Sequence, residues 1–519
     1  MDPACLRHTE IPGTSKLFAD LSYNFERVAG FYRHNPHHPE SYAAAAREVR
    51  YPDVRRAAVA RVLEAQNPGS ALVARFAQPG TMAVITGQQV GLFSGPAYTI
   101  YKALTAARLA ADLNASGIPA VPIFWMATED HDFAEVDHAW IFDAGHHPVM
   151  LRTEAPPAWL GKQRPAGGCP VEHPPIAELR KALAGFPFGD EVAAAVAECY
   201  QPGMTMGAGF RALLVKLLGR VGMLTVDPLD PQLRNVGAPF MADALAAAPD
   251  LKSALLTRNK ELAAAGYHAQ VNIEPNSSLF FLLEHGERTT LRKKDAEFAA
   301  LKDRAADVSP NALLRPVWQD YLFPTVAYIG GPGELAYFAQ SQVIYDRLLG
   351  RMPVAVSRAS FTLLDARAEK LLTRYGLALT DTLVLEDSLK ERIAHTLIPD
   401  TVASLFEETS AEVTRRLDRL GEGLETFDPT LAASLSKSRA KVVYQIGKLR
   451  KKTERETLRR DARASEESRY LSALLYPHQH MQERFYSVLP FFAQHGLDLV
   501  DRLYEAVQMD CPDHRVVTL

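Results

Sequence analysis

Glu129, Asp130, His131 and Asp132 stand in a row, with Glu135, Asp137 and His138 close behind. They form the strongest local cluster of chemically active side chains in the 519-residue chain. Carboxylates and imidazoles packed this densely can bind an ammonium group, hold a metal or act as a general base. His131, with an ordinary pKa near ~6.5, is a candidate proton acceptor, and the pattern leaves open which residue is the base. Asp130, flanked by Glu129 and Asp132, is the expected attraction for an ammonium substrate. A metal reading takes His131, Asp132 and His138, but the HExxH spacing is missing. The plain alternative is a solvated loop with capping carboxylates; the density of the cluster favours function.

Two glycine-bearing loops accompany the cluster. Thr86-Gly87-Gln88-Gln89-Val90-Gly91-Leu92-Phe93-Ser94-Gly95-Pro96 runs from an expected strand into an expected helix. Amides at a helix N-terminus favour an anion such as phosphate or carboxylate. The loop is neither the GxGxxG fingerprint nor a P-loop. Gly87, Gly91, Ser94 and Gly95 are its candidates for nucleotide phosphates, and Gln88 and Gln89 for substrate. Tyr98 and Lys102 follow at i,i+4 spacing and share a helix face. The second loop is Gly330-Gly331-Pro332-Gly333-Glu334, where Gly331 and Gly333 are candidates for nucleotide and Glu334, at a helix start, for substrate. Arg315 and Gln319, also i,i+4, and Arg358, just past a strand, can line the same cleft.

A basic helix face forms the fourth feature: Lys437, Arg439, Lys441, Lys448, Arg450, Lys451, Lys452, Arg455, Arg459 and Arg460, with Glu454 and Glu456 as the acids among them. Such a face can meet a nucleotide phosphate or a nucleic-acid backbone. Only Tyr444 interleaves as an aromatic, so a solvated coiled-coil face is the favoured reading.

Strand–helix alternation must position these groups. Met82 to Ile85, Ile118 to Ala127, Gly222 to Val226, Thr325 to Ile329 and Pro353 to Val356 read as strands. Ala97 to Leu113, Pro231 to Ala247 and Glu334 to Leu349 read as helices. The first strand, helix and second strand make a βαβ unit with parallel strands. Ligands in such sheets bind beyond the carboxyl ends of the strands, where both the acid cluster and the glycine loops fall. Leu279 to Leu283 and Arg288 to Leu291 read as a hairpin, and Arg152 to Pro202 as an insertion of loops and short helices. Past residue 360 no further strand is expected. Phe406, Val413, Leu417, Leu420 and Leu424, then Leu435, Val442, Ile446 and Leu449, step by three, four or their sum, seven, the seam of a coiled coil. The break at Phe427-Asp428-Pro429 folds the two helices back as an antiparallel hairpin, with apolar surface left for a second copy.

The composition is that of an ordinary globular chain, 47% hydrophobic and 23% charged, with a net charge of −4. That balance excludes wholesale disorder and gives no general attraction for nucleic acid or membrane. The four cysteines lie far apart in sequence, without a CxxC motif. A reduced cytoplasm is the expected location, with neither a secretory leader in Met1 to Lys16 nor a spanning segment.

Taken together, TGQQxGLFxGPxYTIYK at Thr86 to Lys102 and PxFWxAxEDHDFxE at Pro122 to Glu135 resemble the bacillithiol-biosynthesis cysteine-adding enzymes, the BshC family. Arg315-Pro316 with Gln319, Ala327-Tyr328-Ile329, Gly331-Pro332-Gly333-Glu334, Tyr337 to Gln340, Tyr476-Pro477 and Gln482-Glu483-Arg484 follow in the family's order. The chain departs at Phe338, where the family often has Trp, and at Thr128, where it often has Ala; neither change removes a charge. The resemblance implies an α/β, Rossmann-like parallel-sheet core similar to nucleotidylyltransferases, with insertions and a long α-helical coiled-coil arm that makes a homodimer. The implied layout is a helical segment over 1–80, the core over 81–360 with an insertion at about 150–205, the arm over 361–475 and a returning helical segment over 476–519. The implied reaction joins the carboxyl of L-cysteine to the amine of glucosaminyl malate, with neither nucleic acid nor membrane as a partner. Amide formation requires an activated carboxyl, so ATP is the expected cosubstrate, and ADP can bind. Its expected site is the Gly87–Pro96 loop or, second, the arm–core junction near Arg484. Arg315, Arg358 and Lys102 are the candidates for malate carboxylates. A metal-dependent hydrolase using residues 129–138 and a coiled-coil adaptor or nucleic-acid binder stand as the alternatives.

Overall fold

Five short apolar runs form one parallel sheet in a computed structural model that describes residues 5–274, 277–291 and 299–519, except the side chains at 299, 300, 429, 458 and 460. Arg460 of the basic face thus lies outside the described side chains. The strands are β1 (Met82–Gln88), β2 (Ala120–Met126), β3 (Leu224–Val226), β4 (Thr325–Gly330) and β5 (Val354–Ser357), in the spatial order β5-β4-β1-β2-β3. Every neighbouring pair is parallel. Such strands are covered on both faces, which is why they read as continuous apolar runs. In β1, Ala83 and Ile85 enter one core with Val121, Ile123 and Tyr328, while Val84 enters the other with Ile329 and Val356. Helix α1 (Tyr98–Ala115) covers the second face through Ala106, Leu109, Ala110 and Leu113. Helices α2 (Arg315–Leu322) and α3 (Pro332–Leu348) cover the first through Trp318, Leu335 and Phe338.

Chain order runs from β1 outward to β3, then returns to the far side of β1 for β4. The winding therefore reverses between β1 and β4, and a crevice opens above such a switch point. Register aligns the strand ends there: Gln88 lies opposite Met126, and Thr86 opposite Ile329. Gly87 is needed for this closeness, because a Cβ on it would meet the Trp125 carbonyl oxygen at 2.7 Å.

Strand ends fall within a few residues of those expected, and β1 runs on to Gln88. The expected hairpin is present as Phe280–Glu284 and Glu287–Thr290, with Val308–Pro310 on the other edge. The expectation that strands end near residue 360 is wrong. Phe361–Leu364 and His514–Thr518 form a further sheet with Cys5–Leu6. Short strands drawn from opposite ends of the chain leave no alternating unit for a sequence reading to find.

His514 stands buried in this small sheet, its Nδ1 2.7 Å from Ser360 Oγ and its Nε2 2.8 Å from Thr362 Oγ1. Burial lowers its pKa to about 4. A histidine depressed in the folded state adds stability above its unfolded pKa and loses it as pH falls toward the folded value. The window therefore runs from ~6.5 down to about 4. At about 1.4 kcal/mol per unit, acidification from pH ~6.5 to ~5 removes about 2 kcal/mol through this group. His8, His34 and His131 are depressed in the same sense. Denaturant titrations at the two pH values should show a shallower loss for His514→Gln than for the parent.

The chain divides into two units, Met1–Leu363 with Glu483–Val517, and Leu364–Gln482 with Thr518–Leu519. The second unit is dominated by helices α4 (Asp400–Phe427) and α5 (Pro429–Arg460), which pack on each other. Asp428 separates them and caps α5, accepting from the Thr430 amide at 2.8 Å. Arg439 pairs with Asp418 across the hairpin at 2.7 Å. Phe406, Val413, Leu417, Leu424, Leu435 and Ile446 are half-buried along the seam. Leu420, Val442 and Leu449 are off it, at 50%, 40% and 58% exposure. Among the described residues no helix is long and apolar enough to cross a membrane.

Candidate functional site

A cavity of about 540 Å³ opens at the carboxyl ends of the parallel strands. Gly87 and Gln88 reach it from β1, Trp125 and Ala127 from the end of β2, Gly331 from the end of β4, and Arg358 from beyond β5. Glu129, Asp130 and His131 form one corner with Arg288 and Phe281 of the hairpin; Arg315, Tyr337, Glu334 and Arg484 also line it.

The acid corner is organised by two arginines. Glu129 is buried in an ion pair with Arg234, and Arg234 also donates to the Ala306 and Val308 carbonyls. Asp130 is open to the cavity and accepts from Gln89 Nε2 at 2.7 Å. Arg288 stacks over Phe281, 3.7 Å from the ring centre, and donates to Ser309 Oγ and the Pro310 carbonyl. Its Nη1 lies 3.1 Å from His131 Nδ1. A guanidinium only donates, so this Nδ1 is a lone pair and the neutral ring carries its hydrogen on Nε2. Burial and Arg288 lower the His131 pKa, against the pull of Asp130 and Asp132. Neutral His131 is thus a hydrogen-bond donor at Nε2, and the general-base role expected of it does not fit its surroundings. Among the described residues Asp130 is the carboxylate in this corner without an ion-pair partner.

At the basic wall, Lys102 lies buried on α1. Its ammonium meets Glu334 Oε2, the Gly87 carbonyl at 2.8 Å and Gln88 Oε1 at 2.8 Å. Three N–H groups thus have three acceptors, and none remains for a substrate anion, contrary to the expected role. Burial lowers its pKa, with Glu334 opposing. Glu334 in turn accepts from the Gly331 amide and the Tyr328 hydroxyl, both at 2.9 Å, and so caps α3. Burial opposes its ionisation, but Lys102 and the Gly331 amide outweigh that and hold its pKa low. Arg315 donates to the Tyr337 hydroxyl at 2.7 Å and more distantly to Tyr328 and Gln319. Among the described residues neither Arg315 nor Arg484 has a carboxylate within ion-pair distance. Both line the cavity. Arg358 is bidentate to Glu483, at 2.9 and 2.6 Å, and lies over the Tyr98 ring.

Gly87, Gln88, Gln89, Tyr98, Lys102, Glu129, Asp130, His131, Arg315, Gly331, Gly333, Glu334, Arg358 and Arg484 therefore share one cavity. Asp132 and Glu135 are exposed outside it, and Glu135 accepts from Gln89 at 2.6 Å. Gln319 is buried behind Arg315. Gly91, Ser94 and Gly95 are not in the lining, and their loop is a tight turn. Leu92 N–H donates to the Val136 carbonyl, Phe93 N–H to Tyr200 Oη and Ala97 N–H to the Tyr486 carbonyl. Phe93 and Ser94 take φ of 52° and 74°, and a Cβ on Gly91 would meet Gly95 Cα at 3.0 Å. Amides committed in this way do not cradle a phosphate. The His131, Asp132 and His138 metal set is also not assembled: His138 bonds Asp137, which Arg152 also engages. Among the described residues no three His, Cys, Asp or Glu side chains gather as a metal site.

Arg234, Arg288, Phe281, Tyr328 and Tyr337 enter the site without having been assigned roles in it. A single arginine on a helix or hairpin has no spacing signal. Tyr337 did stand in the motif after the second loop, and Glu483 in the motif that carries Arg484.

A doubly covered parallel sheet with a charged cavity above its switch point defines a Rossmann-like, small-molecule-handling domain, here joined to a coiled-coil hairpin. Residues 1–359 match the bacillithiol biosynthesis BshC N-terminal Rossmann-like domain, and residues 361–519 the BshC C-terminal coiled-coil domain. The chain belongs to the BshC family, as its motifs suggested. It is 50% identical over 528 residues, covering 100% of both chains, to a Solibacter usitatus protein named "Putative cysteine ligase BshC". Relatives of the same name from Koribacter versatilis and Salinibacter ruber are 35% and 32% identical, with coverage of both chains at 100% and 96% respectively.

Proposed function

We propose that this chain is the cysteine ligase of bacillithiol biosynthesis, joining the L-cysteine carboxyl to the amine of glucosaminyl malate. The observation that carries this reading is the polarity of the cavity in a chain of this family: Asp130 open at one corner, Arg315 and Arg484 available on the wall. The amine arrives largely as an ammonium ion, which Asp130 attracts and from which it takes a proton. The freed nitrogen lone pair then attacks the activated cysteine carboxyl. Arg315 and Arg484 hold carboxylate or phosphate charge, and neutral His131 can donate from Nε2 to an oxygen that gains charge. Water must leave for the amine to win over hydrolysis, and Trp125, Phe281 and Tyr98 supply apolar walls. ATP, in this reading, supplies the activation by giving the carboxyl carbon a leaving group. The committed amides of the Gly91–Gly95 turn do not fit its phosphates, and the Gly331 amide is likewise taken by Glu334, whereas Arg315 and Arg484 fit them.

Thiol profiling of the native organism tests the assignment. Deleting the gene should remove the cysteine-bearing thiol and leave its glucosaminyl malate precursor to accumulate; an unchanged thiol profile overturns it.

The helical hairpin supports a homodimer, because its own seam leaves Leu420, Val442 and Leu449 uncovered. Light scattering should give twice the 57.2 kDa chain mass, and a stable monomer at micromolar concentration contradicts this.

A further inference from the structure

Beyond the cavity, the two ends of the first unit meet at a pair of thiols. Cys5–Leu6 pairs antiparallel with His514–Thr518, Cys5 opposite Arg515 and Leu6 opposite His514. Tyr23 reinforces the junction: its hydroxyl accepts from the His8 amide at 2.8 Å and donates to Asp513 at 2.7 Å. Within this junction the side chains of Cys5 and Cys511 are in hydrogen-bond contact, with Arg515 and Asp513 as the nearby charges. Cys5 is exposed and Cys511 partly so, whereas Cys169 and Cys199 are buried. Nothing in the proposed amide chemistry uses the first pair.

We infer that Cys5 and Cys511 form a redox modification site that closes to a disulfide by exchange with a low-molecular-weight disulfide. One cysteine thiolate attacks a sulfur of the reagent and releases one small thiolate. The second cysteine thiolate then attacks the protein sulfur of the mixed disulfide and releases the other. The protein loses two electrons and two protons, and the reagent is reduced to two thiols. Closure ties the N-terminal strand to the segment that carries His514. His514 bonds Ser360, Ser360 donates to Glu483 at 2.8 Å, and Glu483 holds Arg358 in the cavity wall. A bond here therefore fastens the support of that wall, by constraining chain ends that are far apart in sequence.

The test uses the full-length reduced protein and bis(2-hydroxyethyl) disulfide at mildly alkaline pH, where thiolate is more abundant. Remaining thiols are alkylated and peptides are mapped by mass spectrometry. The expected product is a cross-link between the Cys5 and Cys511 peptides, two hydrogens lighter than the reduced pair, with Cys169 and Cys199 alkylated only after unfolding. Cys5→Ser and Cys511→Ser should instead stop at a mixed disulfide on the remaining cysteine. The oxidised parent should melt at a higher temperature than the reduced parent, with slower amide exchange in residues 5–8 and 514–518. Stable mixed disulfides on both cysteines, no reaction at either, or a cross-link to Cys169 or Cys199 overturns the inference. So does a Cys5–Cys511 bond that leaves both melting and exchange unchanged. The outcome does not depend on the ligase reading, since no substrate is present.

Discussion

Asp130→Asn should lower the rate of amide formation by ~10²–10⁴-fold, the range a positioned proton acceptor contributes, with little change in melting temperature. The substitution keeps the shape and can still accept from Gln89, but in the proposed reaction it removes the charge that attracts an ammonium and the base that deprotonates it. His131→Ala gives the contrast. Its Nδ1 is engaged by Arg288, so it loses a donor rather than the base, and its effect should be the smaller of the two. Single-turnover rates and melting curves on both variants check the order. A greater loss of rate in His131→Ala would return the base role to the imidazole.

Glu483→Gln should destabilise the first unit by about 3–5 kcal/mol, because it leaves a buried guanidinium without its counter-charge. Arg358 and Glu483 are each 4% exposed and joined by two hydrogen bonds. Burial alone would raise the Glu483 pKa, but Arg358 overrides it and brings the value to about 2. A carboxylate depressed on folding contributes its stability above the unfolded pKa and loses it as pH falls through the folded one. The parent should therefore weaken through this pair between pH ~4.3 and about 2, and Glu483→Gln should lack that part of the acid transition. Equilibrium denaturation across this range measures both effects.

Much of the core was legible because parallel strands carry the fold as apolar runs. Thr325 to Ile329 and the run ending in Met126 needed only length and flanking turns to be read. The chemistry was legible where it sat at strand ends, as with Asp130 and the loop before Glu334. Other features depend on pairings that no local pattern encodes. Gly91 and Gly95 look like a phosphate loop, yet they close a tight turn whose neighbouring amides bond to residues far away in sequence. Lys102 looks like a free cation on a helix face until Glu334, Gly87 and Gln88 surround it. Arg234 and Arg288, which shape the acid corner, come from a helix and a hairpin that give no hint of their destination. Val442 and Leu449 fit a heptad on paper, but the pairing of α4 and α5 places them outside the seam. The terminal strands escaped for a related reason: Cys5–Leu6 is extended only because His514–Thr518 lies beside it.

The most direct test of the central claim is a reconstituted reaction followed by mass spectrometry. Purified dimer or monomer, as isolated, is incubated with L-cysteine, glucosaminyl malate and ATP, and the cysteinyl amide is quantified over time. The account predicts that the amide accumulates with stoichiometric consumption of ATP and falls by ~10²–10⁴-fold with Asp130→Asn. Folded protein that forms no amide, or an Asp130→Asn variant that forms it at the parental rate, would contradict the account.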